Sequence, residues 1–408
     1  MTAHSSMRAL RCAAGAVLIV LAGCASVAER QPLPPEYTTK AVIPGIPEAR
    51  FWGDEWPTYS KERMATFTET DFRREFPSSY DRPHNYLAIS GGGANGAFGA
   101  GLLAGWSAAG TRPEFNIVTG VSTGALTAPF AFLGADYDQL MKTVYTTTTT
   151  SDIATRRNPI AAAFSDSMAD TTPLRSLIAK YIDAGMIAAI AREHSKGRRL
   201  YIGTLNLDAG RSVIWSIGAI ASSNHPDKVE LIHEVLRASA AIPIAFPPVA
   251  ISVEAEGKRF DELHVDGGTG SQVFTYPAAA DWNVIAQKLK VHGEPHVYVI
   301  RNAFLEPDYQ GVKRNVLPIA LRTVDSLIRT QGIGDLYQIY TLCKRDGNDF
   351  NLAYITSLTT SPRGWTQRAE ADWMRFTTVA AERGAKWRWR TACGCVDGSG
   401  ATPWAAPS

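Results

Sequence analysis

Gly120-Val121-Ser122-Thr123-Gly124 follows the apolar, β-branched run Phe115 to Thr119 and precedes the small, helix-compatible residues Ala125 to Phe132. The order reads strand, tight turn, helix. At the apex of such a turn a serine is forced into a strained, exposed position above a helix N-terminus, which suits a nucleophile. Glycines flank it because side chains there would collide where strand and helix pack together. Two more glycine-rich stretches share the setting: Gly91-Gly92-Gly93-Ala94-Asn95-Gly96 and Asp266-Gly267-Gly268 also follow the ends of apolar runs. In open α/β sheets that C-terminal strand edge is where ligands and catalytic groups gather. A serine hydroxyl is a poor nucleophile without a nearby base, whose help is typically worth about 10²- to 10⁴-fold. The intermediate it forms carries an oxyanion, and only glycines let several backbone N–H groups approach one.

A βαβ unit positions the first two stretches. Asn85 to Ser90 is a short apolar strand, Ala97 to Ala109 a helix with Phe98, Leu102, Leu103 and Trp106 on one side and Gly110 as its stop, and Phe115 to Thr119 the next strand. Such crossovers favour a parallel sheet with both faces covered. Further on, the run Thr146 to Thr150 reads as a mobile or variable excursion, and Thr172-Pro173 as a helix entry with Thr172 as N-cap. Arg199 to Asn206 and Ser212 to Ser216 read as a hairpin through Asp208-Ala209-Gly210, and Val229 to Ser239 as an amphipathic helix ended by Pro243. Strands at Val249 to Val253 and Phe260 to Val265 lead to Asp266, and His296 to Ile300 is the last clear core strand. Beyond it come helical patterns near Leu317 to Leu342 and Glu370 to Arg383, with a strand near Phe350 to Ile355 between them.

Four motifs in this order resemble those of the patatin-like phospholipase family over roughly residues 84 to 305. They are the glycine loop (Gly91, Gly93, Gly96), the elbow (Gly120, Ser122, Gly124), the block Ala238-Ser239-Ala240-Ala241-Ile242-Pro243, and Asp266-Gly267-Gly268. The resemblance implies an α/β fold, three-layer α/β/α with a mostly parallel central sheet and a Ser-Asp dyad at the strand C-terminal edge. It implies a carboxylic ester hydrolase of the phospholipase A or lysophospholipase type, acting on lipid or phospholipid acyl esters without cofactor, metal or catalytic histidine. Ser122 would be the nucleophile, Asp266 its base, and the N–H groups of Gly91, Gly92 and Gly93 the oxyanion hole. Gly96, Gly120, Gly124, Gly267 and Gly268 would be the motif glycines. One departure is Asn95, where the family usually has Arg or Lys; the missing fixed charge bears on rate or head-group preference more than on reaction type.

Other readings of the same residues are weighed by what they lack. A dinucleotide-binding loop at Gly91 to Gly96 would need an acid closing the second strand, which closes instead with Thr119-Gly120-Val121-Ser122. A histidine-dependent α/β-hydrolase would order its triad Ser, acid, His, and His292 or His296 satisfies that order on paper. His264 shares a strand face with Asp266 and reads as a satisfied core histidine rather than a tuner of the aspartate. Trp387-Arg388-Trp389-Arg390 reads as a packed terminal segment before a membrane patch. A catalytically weak lipid-binding or assembly module on the same fold is disfavoured by the intact Ser122 and Asp266.

The first residues carry Arg8 and Arg11, the apolar run Ala13 to Ala22, and Leu21-Ala22-Gly23-Cys24, which closely resembles a bacterial lipobox. The expectation is a signal at 1–23, lipidation of Cys24, and a membrane partner at the bacterial cell envelope, in the outer membrane facing the periplasm. Removing 1–23 leaves 39 basic and 39 acidic residues, so no case for nucleic acid survives. Of the cysteines left, Cys343 could pair with Cys393 or Cys395; a zinc site at that close pair lacks a histidine cluster. Hydrophobic content of 45% and charged content of 20% over 408 residues exclude a disordered or polytopic membrane chain. The expected division is signal 1–23, tether and aromatic extension 24–83, catalytic domain 84–305, and C-terminal helical extension 306–408 packed on it.

Overall fold

The computed structural model describes residues 30–158, 161–162, 165–306 and 309–355. In chain order its strands are β1 (Arg50–Trp52), β2 (Asn85–Ile89), β3 (Ile117–Val121), β4 (Arg199–Asn206), β5 (Arg211–Ser216), β6 (Val249–Ala255), β7 (Lys258–Asp266), β8 (His296–Phe304) and β9 (Asp349–Ile355). They form one sheet in the order β9-β8-β2-β3-β4-β5-β1, with β7 joined to β4 and β6 joined to β7. From β9 to β4 every pairing is parallel, and the pairings beyond, including those of β7, are antiparallel.

The main helices are α1 (Thr58–Thr66), α2 (Glu69–Glu75), α3 (Gly96–Ala108), α4 (Thr123–Leu133), α5 (Asp138–Thr147), α6 (Thr172–Tyr181), α7 (Ala184–Ser195), α8 (Ile217–Ser222), α9 (Lys228–Ser239), α10 (Trp282–Lys288) and α11 (Val316–Asp346). Strand alternation decides which layer each residue meets. Leu87, Ile89, Val118, Leu200 and Ile202 face a core shared with α3, α4, α7 and α9. Tyr86, Ala88, Val297 and Val299 face the other way, into a second core with Trp282 of α10 and Leu336, Ile339 and Leu342 of α11. The sheet is therefore covered on both sides, as the βαβ reading requires.

Three expectations are corrected. Residues 30–50 are not a free tether: Arg30 binds Asp261 and Asp208, Val42 bridges to Glu254, and β1 pairs with β5. The strand expected near Phe350 to Ile355 is present as β9, but it pairs beside β8, so the sheet crosses the domain boundary expected at residue 305. The threonine run is no excursion either, since α5 continues to Thr147 and a further helical turn spans Thr150–Ile153. At the entry to α6, Thr171 holds the cap position, Thr172 is the first helical residue, and the Asp170 carboxylate accepts from its N–H at 3.0 Å. Cys24, the helix expected at Glu370 to Arg383, the Trp387 to Arg390 pattern, Cys393 and Cys395 lie outside the described residues.

Candidate active site

Two strands reach the same side of β4 from opposite directions. β3 runs parallel to β4 until Val121 stands opposite Gly203; one residue further along, β7 takes over that edge with Asp266 opposite Thr204. Ser122 follows the last residue of β3 and Asp266 is the last of β7, so residues far apart in sequence meet where two strands end head to head. Small residues make the junction possible: a Cβ on Gly267 would lie 2.3 Å from the Gly203 carbonyl oxygen.

The serine sits at φ 55°, ψ −125°, a conformation that costs a non-glycine residue about 1–3 kcal/mol and persists only where its surroundings hold it. A hydrogen-bond chain does so. The Ser122 N–H donates to Ser239 Oγ at 2.9 Å, and that hydroxyl donates to the Gly203 carbonyl at 2.7 Å. Two residues on, the Ala241 carbonyl accepts the Asp266 N–H at 2.9 Å. The segment from Ala238 to Pro243, the end of α9 and the turn after it, thus braces both strand ends at once, a physical reason for the motif to stand between serine and aspartate. Gly124 must be glycine because a Cβ there would approach the Ile89 carbonyl oxygen to 2.3 Å.

Asp266 is 2% exposed and Ser122 5%. Burial pushes the Asp266 carboxyl up to about 6, against the opposing hydrogen bonds from the Ser122 hydroxyl and the Gly268 N–H. The latter donates to Oδ1 at 2.8 Å. A carboxylate with that value is ionised at neutral pH yet basic enough to take a proton, the range suited to general-base work.

The glycine loop lies beside the serine, a Cβ on Gly91 being only 3.2 Å from that of Ser122. Its three N–H groups are not equivalent. Gly91 donates to the Gln272 carbonyl at 3.1 Å, whereas the N–H groups of Gly92 and Gly93 have no acceptor among the described residues. Those two are the donors open to an oxyanion, with the N-terminus of α3 directly behind them.

Sequence reasoning missed the residues that hold this loop. Asn302, at the end of β8, receives the Gly99 N–H on Oδ1 and donates Nδ2 to the Ser90 carbonyl, while its own N–H donates to Ser90 Oγ. Gly92 is pressed so closely on Asn302 that a Cβ would fall 2.0 Å from its carbonyl oxygen. Gln272 lies between loop and dyad, its backbone N–H held by the buried Asp335 carboxylate and its side-chain oxygen 3.4 Å from Arg301 Nη1. Arg301 is 1% exposed, and burial draws its pKa down to about 10. A buried cation therefore stands behind Gln272 in a chain that has Asn95 in the loop itself. No spacing rule exposes these residues, because they reach the loop from strands and helices hundreds of positions away.

The histidines fall elsewhere. His264 is fully buried between Thr204 Oγ1 at 2.9 Å and Glu262 at 3.2 Å, the satisfied core residue that was expected. His296 opens β8 opposite Asn85, the first residue of β2, and bonds Asp349. It stands at the N-terminal edge of the parallel strands, about 15 Å of strand away from the edge that carries Ser122. His292 precedes it and pairs with Asp81 at the surface.

A family model described as patatin-like phospholipase matches residues 87–279. No curated protein matches the chain. Among solved structures, the crystal structure of VipD from Legionella pneumophila is similar at a TM-score of 0.32 and 12% identity, over 75% of this chain and 67% of that one.

Proposed function

Residues 87–279 being a patatin-like phospholipase domain, we propose that the protein is a serine-aspartate dyad hydrolase of lipid acyl esters. At the level of the family it is a lipid acyl hydrolase; the dyad and its steps are the proposal. Asp266 takes the Ser122 proton as Oγ attacks the ester carbonyl. The N–H groups of Gly92 and Gly93 receive the developing oxyanion, and the positive end of α3 adds to their field. Protonated Asp266 then returns its proton to the leaving alkoxide, and a water molecule, deprotonated by the same carboxylate, releases the fatty acid and restores Ser122. The observation that carries this reading is the strained Ser122 beside a buried carboxyl raised to about 6.

The full-length protein is expected to hydrolyse a short-chain p-nitrophenyl ester, and Ser122→Ala or Asp266→Ala to lower turnover by at least about 10²-fold. Equal turnover in the wild type and both variants would sink the dyad. The same reading anchors the chain to a bacterial membrane through Cys24; a Cys24→Ala protein should leave the membrane fraction, and unchanged membrane association refutes that anchor.

A further inference from the structure

On the sheet face opposite α3 and α4 lies a cavity of about 520 Å³. Neither Ser122 nor Asp266 lines it. Its sheet wall includes Ile117, Arg199 and Tyr201; its opposite wall includes Trp56 and Tyr59 from the N-terminal segment, with Trp282, Ile285 and Ile339 from α10 and α11. The lining mixes these apolar side chains with charged ones, Glu48, Arg63, Arg199, Arg211 and Asp335 among them.

The arginines of the lining differ in their partners. Arg63 is matched by Glu48 at 2.7 Å, and Arg211 by Asp54 and Glu55. Arg199 has no such match. Its Nη1 donates only to the carbonyls of His194 and Arg198, its guanidinium lies 4.9 Å from the Phe76 ring centre, and no carboxylate pairs with it among the described residues. Tyr59 and Tyr201 lie close enough to act on it electrostatically, and neither hydroxyl has a hydrogen-bond partner among the described residues. A half-buried cation without a carboxylate partner and two spare hydroxyls, bordered by apolar side chains, are complementary to one planar anion on an apolar body. A guanidinium fork matches a carboxylate with two parallel hydrogen bonds. The volume, within the roughly 300–1,000 Å³ of small-molecule sites, suits one acyl chain; a free inorganic anion would leave the apolar side chains of the lining without a partner.

We propose that this cavity binds a single-chain fatty acid anion, its carboxylate on Arg199 and the Tyr59 and Tyr201 hydroxyls and its chain toward Trp282, Ile285 and Ile339. The site is separate from the elbow, so its occupancy does not depend on hydrolysis.

Calorimetric titration of sub-micellar octanoate, decanoate and laurate into full-length Ser122→Ala protein tests it, whatever the fate of the dyad. One-to-one binding should tighten about 3- to 4-fold for each added methylene. Arg199→Gln should weaken laurate at least tenfold, Arg199→Lys should recover part of the loss, and dodecanol should bind worse than laurate. Ile285→Trp, which takes up space proposed for the chain, should weaken laurate more than octanoate; this variant decides the matter if Arg199→Gln fails to melt cooperatively. Absence of laurate binding, or binding that Arg199→Gln and Ile285→Trp leave unchanged in folded proteins, overturns the proposal.

Discussion

At the scale of single residues, the proposed chemistry rests on what burial does to Asp266. Removing the carboxylate from water favours its protonated form, and the hydrogen bonds from Ser122 and Gly268 only partly reverse this, leaving the pKa near 6 rather than at its ordinary 3.8. A base must be deprotonated to act, so kcat/KM should fall as pH drops through about 6 and level off above it. The pH profile for a p-nitrophenyl ester checks this, and a limb centred near 4 would show that the carboxylate is solvated in the working enzyme. Ser122, Asp266 and the flanking glycines were legible because a tight turn and a close approach admit few residue types. Gln272, Asn302 and Arg301 were not, because a glutamine or arginine fits many environments and only the folded contact gives it a role.

Among the elements, the C-terminal end of α9 does more than its softer sequence signal suggests. Ser239 spends its hydroxyl on two backbone groups, receiving from the Ser122 N–H and donating to the Gly203 carbonyl. Ser239→Ala leaves both buried groups unsatisfied, which costs about 1–3 kcal/mol. Because one of them fixes the strained elbow, kcat should fall at least tenfold with KM little changed, alongside a melting point lowered by several degrees. Lowered stability with an unchanged kcat would mean that the elbow holds its conformation without the brace. The helices and strands themselves were readable from apolar periodicity, and the misreading at Thr146 to Thr150 has a physical cause. Threonine usually competes with the helix backbone, but here Thr143, Thr146 and Thr147 donate their hydroxyls to the carbonyls of Gln139, Lys142 and Thr143, four residues back. With the side chains engaged along the helix, α5 continues through them.

Across the whole molecule, both flanking segments return to the sheet, so the unit that folds is larger than the motif-bearing stretch. Arg50 of β1 is ion-paired with Glu262 of β7, and that glutamate is fully buried. Burial opposes its ionisation, but the hydrogen bonds from His264 and Arg50 prevail and hold it at about 2. A three-residue strand like β1 carries almost no periodic signal, and the strand near Phe350 to Ile355, though legible, stands beyond a long helix with nothing in its residues to say which strand it joins, hence the expected boundaries at 84 and 305. A fragment of residues 84–305 would keep every motif and lose the fold. Without Arg50, the charge on Glu262 is left buried with a cation gone, a loss of about 3–5 kcal/mol. Without α11 and β9, the second core loses Leu336, Ile339, Leu342, Cys343, Phe350 and Leu352, six of its fourteen buried residues. Asp335 goes with them, releasing the Gln272 and Val273 N–H groups that hold the wall behind Gly91. Against a typical total stability of about 5–15 kcal/mol these losses are decisive. Fragment 84–305 should therefore show no cooperative thermal transition by circular dichroism, while 30–355 melts cooperatively. If the shorter fragment melted within a few degrees of the longer one, the flanking strands would be ornaments on an independent domain.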